Sequence, residues 1–119
     1  MSIDPVALVE RYHAALNAYE EAEVARFFAP NAVYVSPGVN GRIEGRGAII
    51  AAFSAYFAEH PDQVAEDERI ERAGPSAARA LWRLRATARS TGKPVSREGI
   101  ETVRFDTDGL IISVEVEDR

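Results

Sequence analysis

The apolar residues of this chain change their spacing once, near His60-Pro61, and that change limits the folds open to it. Before it they recur mostly at three- and four-residue steps, the mark of helices with one buried stripe. After it they alternate with polar residues at every second position, the mark of strands with one dry face. Asp4-Pro5 is a good helix start, because a carboxylate at the N-cap accepts orphan backbone N–H groups and proline at the first helical position has no N–H to leave unpaired. From there Leu8, Val9, Tyr12, Ala15, Leu16 and Tyr19 share a stripe, predicting a helix to about Tyr19 with Tyr12 turned inward. A shorter helix over 20–28 points Val24, Phe27 and Phe28 inward, and Pro30-Asn31 ends it. Ala32 to Ser36 reads as a short strand, followed by Pro37-Gly38 and a loop through Asn40-Gly41. Ile49, Ile50, Phe53, Tyr56 and Phe57 predict a third helix from Gly47 to about Glu59.

Four strands are expected afterwards, over 63–73, 77–90, 95–106 and 110–117, separated by Gly74-Pro75, Gly92-Lys93-Pro94 and Asp108-Gly109. In the second, Ala80, Trp82, Leu84 and Ala86 alternate with Arg79, Arg83 and Arg85. The result is an α+β chain with an antiparallel meander, and 119 residues suffice for one core, so residues 1–119 form a single domain.

Bulk chemistry removes several functions. A formal charge of -5 opposes the phosphate attraction that drives nucleic-acid binding, and the arginines are interleaved with apolar residues instead of clustered. With no cysteine there is no thiol nucleophile, disulfide or zinc–thiolate site. His13 and His60 lack carboxylates at ligand spacing, so neither a metal nor another cofactor is expected. No apolar run is long enough to span a bilayer and the start has no leader pattern, which predicts a cytoplasmic protein without a membrane partner.

The residues also carry a resemblance. Val9-Glu10-Arg11-Tyr12-His13-Ala14-Ala15-Leu16-Asn17-Ala18 is similar to the first helix of bacterial ketosteroid isomerases and SnoaL-like polyketide cyclases. Phe27-Phe28-Ala29-Pro30-Asn31-Ala32-Val33 and Ile43-Glu44-Gly45-Arg46-Gly47-Ala48-Ile49 resemble further passages of these nuclear-transport-factor-2-like proteins, and the likeness runs over nearly the whole chain. It implies a cone-shaped, strongly curved antiparallel sheet packed on three N-terminal helices. It implies a fold better than an activity, since one scaffold hosts many reactions.

In the isomerases a carboxylate base removes a proton beside a ketone while a tyrosine and a neutral acid hold the enolate oxygen; the neutral acid of that enzyme is a standard example of pKa tuning. The resemblance places the tyrosine at Tyr12 and the acid at Glu101, within Gly99-Ile100-Glu101-Thr102-Val103-Arg104-Phe105. Burial of Glu101 is expected to raise its pKa and make it a neutral donor. The base fails to carry over: Val35-Ser36-Pro37 stands where the family has its acid, and an unactivated serine is a poor base. The candidate substitutes are Asp118, in phase with Val114 and Val116 on the last strand, and the substrate itself, while the preferred reading of Asp118 is a solvated terminal carboxylate. Leu16, Tyr34, Ser36, Phe53, Phe57, Trp82, Leu84, Val103, Val114 and Val116 are the expected pocket lining.

The functional expectation is a small apolar or polyketide-like ligand bearing a carbonyl, with isomerisation, cyclisation or dehydration through an enolate. The alternative is a noncatalytic binding or assembly domain. Glu66, Asp67, Glu68 and Glu71 read as a solvated face, which Arg83 and Arg85 could complement across a homodimer formed by the outer sheet face.

Overall fold

The computed structural model describes residues 3–37 and 41–119, so Gly38 and Asn40 of the expected turn lie outside the described residues. Helix α1 spans Pro5–Asn17, α2 Glu21–Arg26 and α3 Arg46–Glu59; strands β1 (Phe28–Ser36), β2 (Gly41–Glu44), β3 (Val64–Arg72), β4 (Ala77–Thr87), β5 (Pro94–Phe105) and β6 (Ile111–Asp118) form one sheet in the order β2-β1-β6-β5-β4-β3. The three helices and the meander are where the spacing predicts them. Asp4 caps α1 by accepting from the Ala7 N–H at 3.2 Å.

Three departures have physical reasons. First, β1 begins at Phe28, and Pro30 lies inside it, not at a helix end. The register shifts between Phe28 and Val33, and such an irregularity is where a strand tolerates proline, which has no N–H for the ladder. Second, Gly41–Glu44, where no strand is expected, is a strand that pairs with β1 from Val33↔Glu44 to Ser36↔Gly41. Third, the sheet is not antiparallel throughout: β1 and β6 run parallel, with Tyr34 opposite Val114. The connection between them is most of the chain, long enough to bring β6 back in the direction of β1.

Helix α1 lies along β3, the far edge of the sheet. The Asn17 side-chain amide donates to the Ala65 carbonyl at 2.8 Å and accepts from its N–H at 3.0 Å, replacing the missing neighbour strand. One helical turn earlier His13 meets Asp67, and just past the helix Tyr19 donates to the Gln63 carbonyl. The match is metric: four helical residues rise about 6 Å and two strand residues about 6.6 Å, so i, i+4 on the helix keeps step with i, i+2 on the strand.

The core between helices and sheet holds Val9, Tyr12, Val24, Phe28, Ile49, Val103, Ile111 and Val114, all nearly or wholly inaccessible. On the outer face Arg83 bonds Glu68 at 2.6 Å and approaches Glu98 at 3.3 Å, while Arg85 approaches Glu66 at 3.8 Å. Two of the four acids expected to complement Arg83 and Arg85 between copies, Glu66 and Glu68, are thus paired with them within one chain. Among the described residues no helix is long and apolar enough to cross a membrane.

Candidate functional site

A cavity of about 100 Å³ lies between the helices and the inner sheet face. Alternation decides which strand residues reach it. Tyr34 and Ser36 come from β1, Ala65 and Asp67 from β3, Trp82 and Leu84 from β4, Arg97 and Glu101 from β5 and Val116 from β6, each pair in phase. Helix α1 adds His13 and Leu16, and α3 adds Phe53, Tyr56 and Phe57. Phe53 stacks on Phe57 with centroids 6.1 Å apart and meets Tyr34 edge-on at 5.2 Å, so one wall is aromatic. The opposite wall depends on Gly99: a Cβ there would lie 2.4 Å from Trp82 Cζ2, so only glycine lets the indole lie against β5.

Within this apolar surface one polar line stands out. His13 Nδ1 lies 2.7 Å from Asp67 Oδ2, and His13 Nε2 lies 2.5 Å from Glu101 Oε1. Burial alone would lower the pKa of His13, but the nearby Glu101 charge and hydrogen bonds to Asp67 and Glu101 more than reverse this, pushing it from 6.5 to about 10. At neutral pH the ring is therefore an imidazolium that donates to both acids. Glu101 is the acceptor, which corrects the expectation of a neutral donor there; its residue is 5% exposed and lines the cavity. Raised pKa values stabilise on the acid side, so the contribution of His13 is complete below pH 6.5 and fades as pH rises through about 10. Thermal melts should show a Tm that declines across this window in the wild type, with the decline much reduced in His13→Gln.

Of the other expected residues, Leu16, Tyr34, Ser36, Phe53, Phe57, Trp82, Leu84 and Val116 line the cavity, and Val103 and Val114 sit in the solid core instead. Tyr12 is also not on the wall. It packs against His13, Phe27 and Phe28 with centroids 5.4–5.9 Å away, and its hydroxyl has no hydrogen-bond partner among the described residues. Burial, then the proximity of Tyr34 and Glu101, hold its pKa far above the ordinary value, so it stays protonated. An orphaned buried hydroxyl is costly, and Tyr12→Phe is expected to raise stability by about 1 kcal/mol in urea unfolding. A comparable loss would instead show that the hydroxyl holds a partner.

Asp118 is the clear correction. It is half exposed at the end of β6, and Arg97 donates to its Oδ1 at 2.9 Å. It does not line the main cavity. His13 and Asp67, by contrast, are the functional candidates that the sequence reading passed over. The available signal was the polar pair His13 and Asn17 at i, i+4 on an otherwise apolar helix face, together with Asp67 falling in phase with Ala65.

The family model for the SnoaL-like domain matches residues 9–114. No curated protein matches the chain in sequence at a significant level. Among solved structures, RV0760c from Mycobacterium tuberculosis in complex with estradiol-17beta-hemisuccinate is similar at a TM-score of 0.82 and 18% identity, over 98% of this chain and 93% of that one. SalBIII, an epoxide hydrolase/cyclase-like enzyme of pyran ring formation in salinomycin, is similar at 0.83 and 16%, over 95% and 88%. AclR from Streptomyces galilaeus, a putative hydroxylase, is similar at 0.79 and 19%, over 95% and 86%. Identities this low carry the fold and not the chemistry. With a family match over most of its length and this agreement in architecture, the chain belongs to the SnoaL-like family and has the nuclear-transport-factor-2-like fold.

Proposed function

We propose that the cavity takes a compact apolar molecule bearing a carbonyl group and that Glu101 moves a proton on the carbon beside that carbonyl. The observation that carries this is the Asp67–His13–Glu101 line inside a mostly apolar cavity. His13 occupies only Oε1 of Glu101, which leaves the second oxygen as the proton acceptor. The base sought at positions 36 and 118 is on this reading supplied by Glu101, the residue the resemblance cast as the acid.

The step balances simply. A C–H bond breaks, its proton goes to the Glu101 carboxylate, and the electron pair moves onto the carbonyl oxygen to give an enolate. Returning the proton to another carbon is isomerisation; ring closure or loss of a β-hydroxyl are the other outcomes of the same intermediate. Tyr34 lines the cavity with its pKa raised by burial and then by the Glu101 charge, so its hydroxyl keeps its proton and can donate to the enolate oxygen. It takes the role first assigned to Tyr12.

The test needs no knowledge of the natural substrate. Small cyclic ketones in D₂O should lose their α-hydrogens faster with protein than with buffer, read by proton NMR. Ligand binding without any exchange would instead support a noncatalytic binding domain.

A further inference from the structure

Arg97 is the charged residue of the cavity that the proton-transfer reading does not use. It projects from the inner face of β5 and lines both the main cavity and an outer hollow of about 260 Å³ that Tyr56, His60 and Asp118 also border. The guanidinium thus stands at the junction of the two. Its Cζ lies 5.5 Å from the centroid of the Trp82 ring, which holds the planar group in place. Trp82 in turn keeps its position because residue 99 has no side chain.

The partners of Arg97 are few for a group with five N–H donors. One nitrogen donates to Asp118 Oδ1 at 2.9 Å, and that carboxylate side chain is 53% exposed. The buried Tyr56 hydroxyl beside it makes no hydrogen bond of good geometry among the described residues. Donors are therefore in excess at the junction, and among the described residues the side-chain acceptor that meets the guanidinium with good geometry is a carboxylate on a solvated strand end. Ion pairs so exposed contribute little, so a carboxylate arriving from inside the cavity can replace Asp118 with small loss. Arginine matches carboxylates with two parallel hydrogen bonds, which a neutral amide or ketone cannot reproduce.

We infer that Arg97 is a specificity residue that selects ligands ending in a carboxylate, so that the substrate class is an apolar oxo acid, with Asp118 holding the guanidinium until the ligand displaces it. This rests on the proposed function, in which the carbonyl end of the same ligand meets Glu101. It places the two ends of the molecule on one strand, four residues apart on β5.

Trp82 is the single tryptophan of the chain and lines the cavity, so its fluorescence reports occupancy directly. The probes are 5-oxo-5-phenylpentanoate and its primary amide, titrated at low salt. The acid should bind at least about tenfold more tightly than the amide. That preference should vanish in Arg97→Gln, and Asp118→Asn should strengthen the acid several-fold while leaving the amide unchanged.

Equal binding of acid and amide to the wild type, or a preference that survives Arg97→Gln, overturns the role of Arg97 and leaves the apolar-ligand reading intact. Binding of neither probe overturns both. Should Arg97→Gln fail to fold by circular dichroism, Asp118→Asn decides: no gain for the acid sinks the displacement.

Discussion

Replacing His13 with alanine is expected to destabilise the protein by about 3–5 kcal/mol, a fall in Tm on the order of 10–20 °C for a chain of this size. The reason is not the value of the His13 ion pairs themselves. Removing the imidazolium leaves Glu101, with only 6% of its side chain exposed, as an uncompensated charge in an apolar cavity. Asp67, at 22%, retains some access to water and contributes less to the loss. Replacing both partners, as in His13→Leu with Glu101→Leu, should recover much of the stability, because no buried charge then remains. Guanidinium unfolding of the two variants measures this. A single-variant loss below about 1 kcal/mol would mean that solvent screens the line, and with it the imidazolium state that holds Glu101 ready.

Glu101→Gln is expected to lower α-proton exchange by about 10²–10⁴, the usual share of a general base, while ketone binding stays within a few-fold. The amide is nearly isosteric and still lines the cavity, so the split between binding and turnover separates a chemical role from a structural one. A second readout is independent of turnover: with the Glu101 charge gone, the His13 titration followed by NMR should move down from about 10. Exchange that persists at the wild-type rate would remove Glu101 from the chemistry even if the His13 shift were observed.

These two experiments rest on residues that a linear reading handles badly. Glu101 was found through a strand likeness and through alternation with Val103 and Phe105, and its burial agrees with that reading. His13 was passed over because its neighbour Tyr12 dominates the apolar stripe. Asp67 was passed over because it lies among acids at 66, 68 and 71, which look like one solvated surface. The contacts that unite them cross 54 and 88 residues of sequence, and no local period encodes such a distance.

By itself the sequence determined what local chemistry can determine. The change from helical to alternating spacing, the Asp4-Pro5 cap and the turn residues between strands were enough for three helices, a meander and an apolar interior, because backbone conformation and the choice of buried face are set within a few residues. Tertiary structure decided the rest. The four residues of β2 exist as a strand because β1 offers a ladder, and β1 beside β6 runs parallel because the long intervening chain brings it back that way. Asp118 has the same phase as Val116 yet is half exposed, since it closes the last strand and borders the outer hollow instead of the main cavity. The charge state of His13 belongs to the fold most completely, since the ring is a cation at neutral pH only because α1 sets it between acids from two different strands.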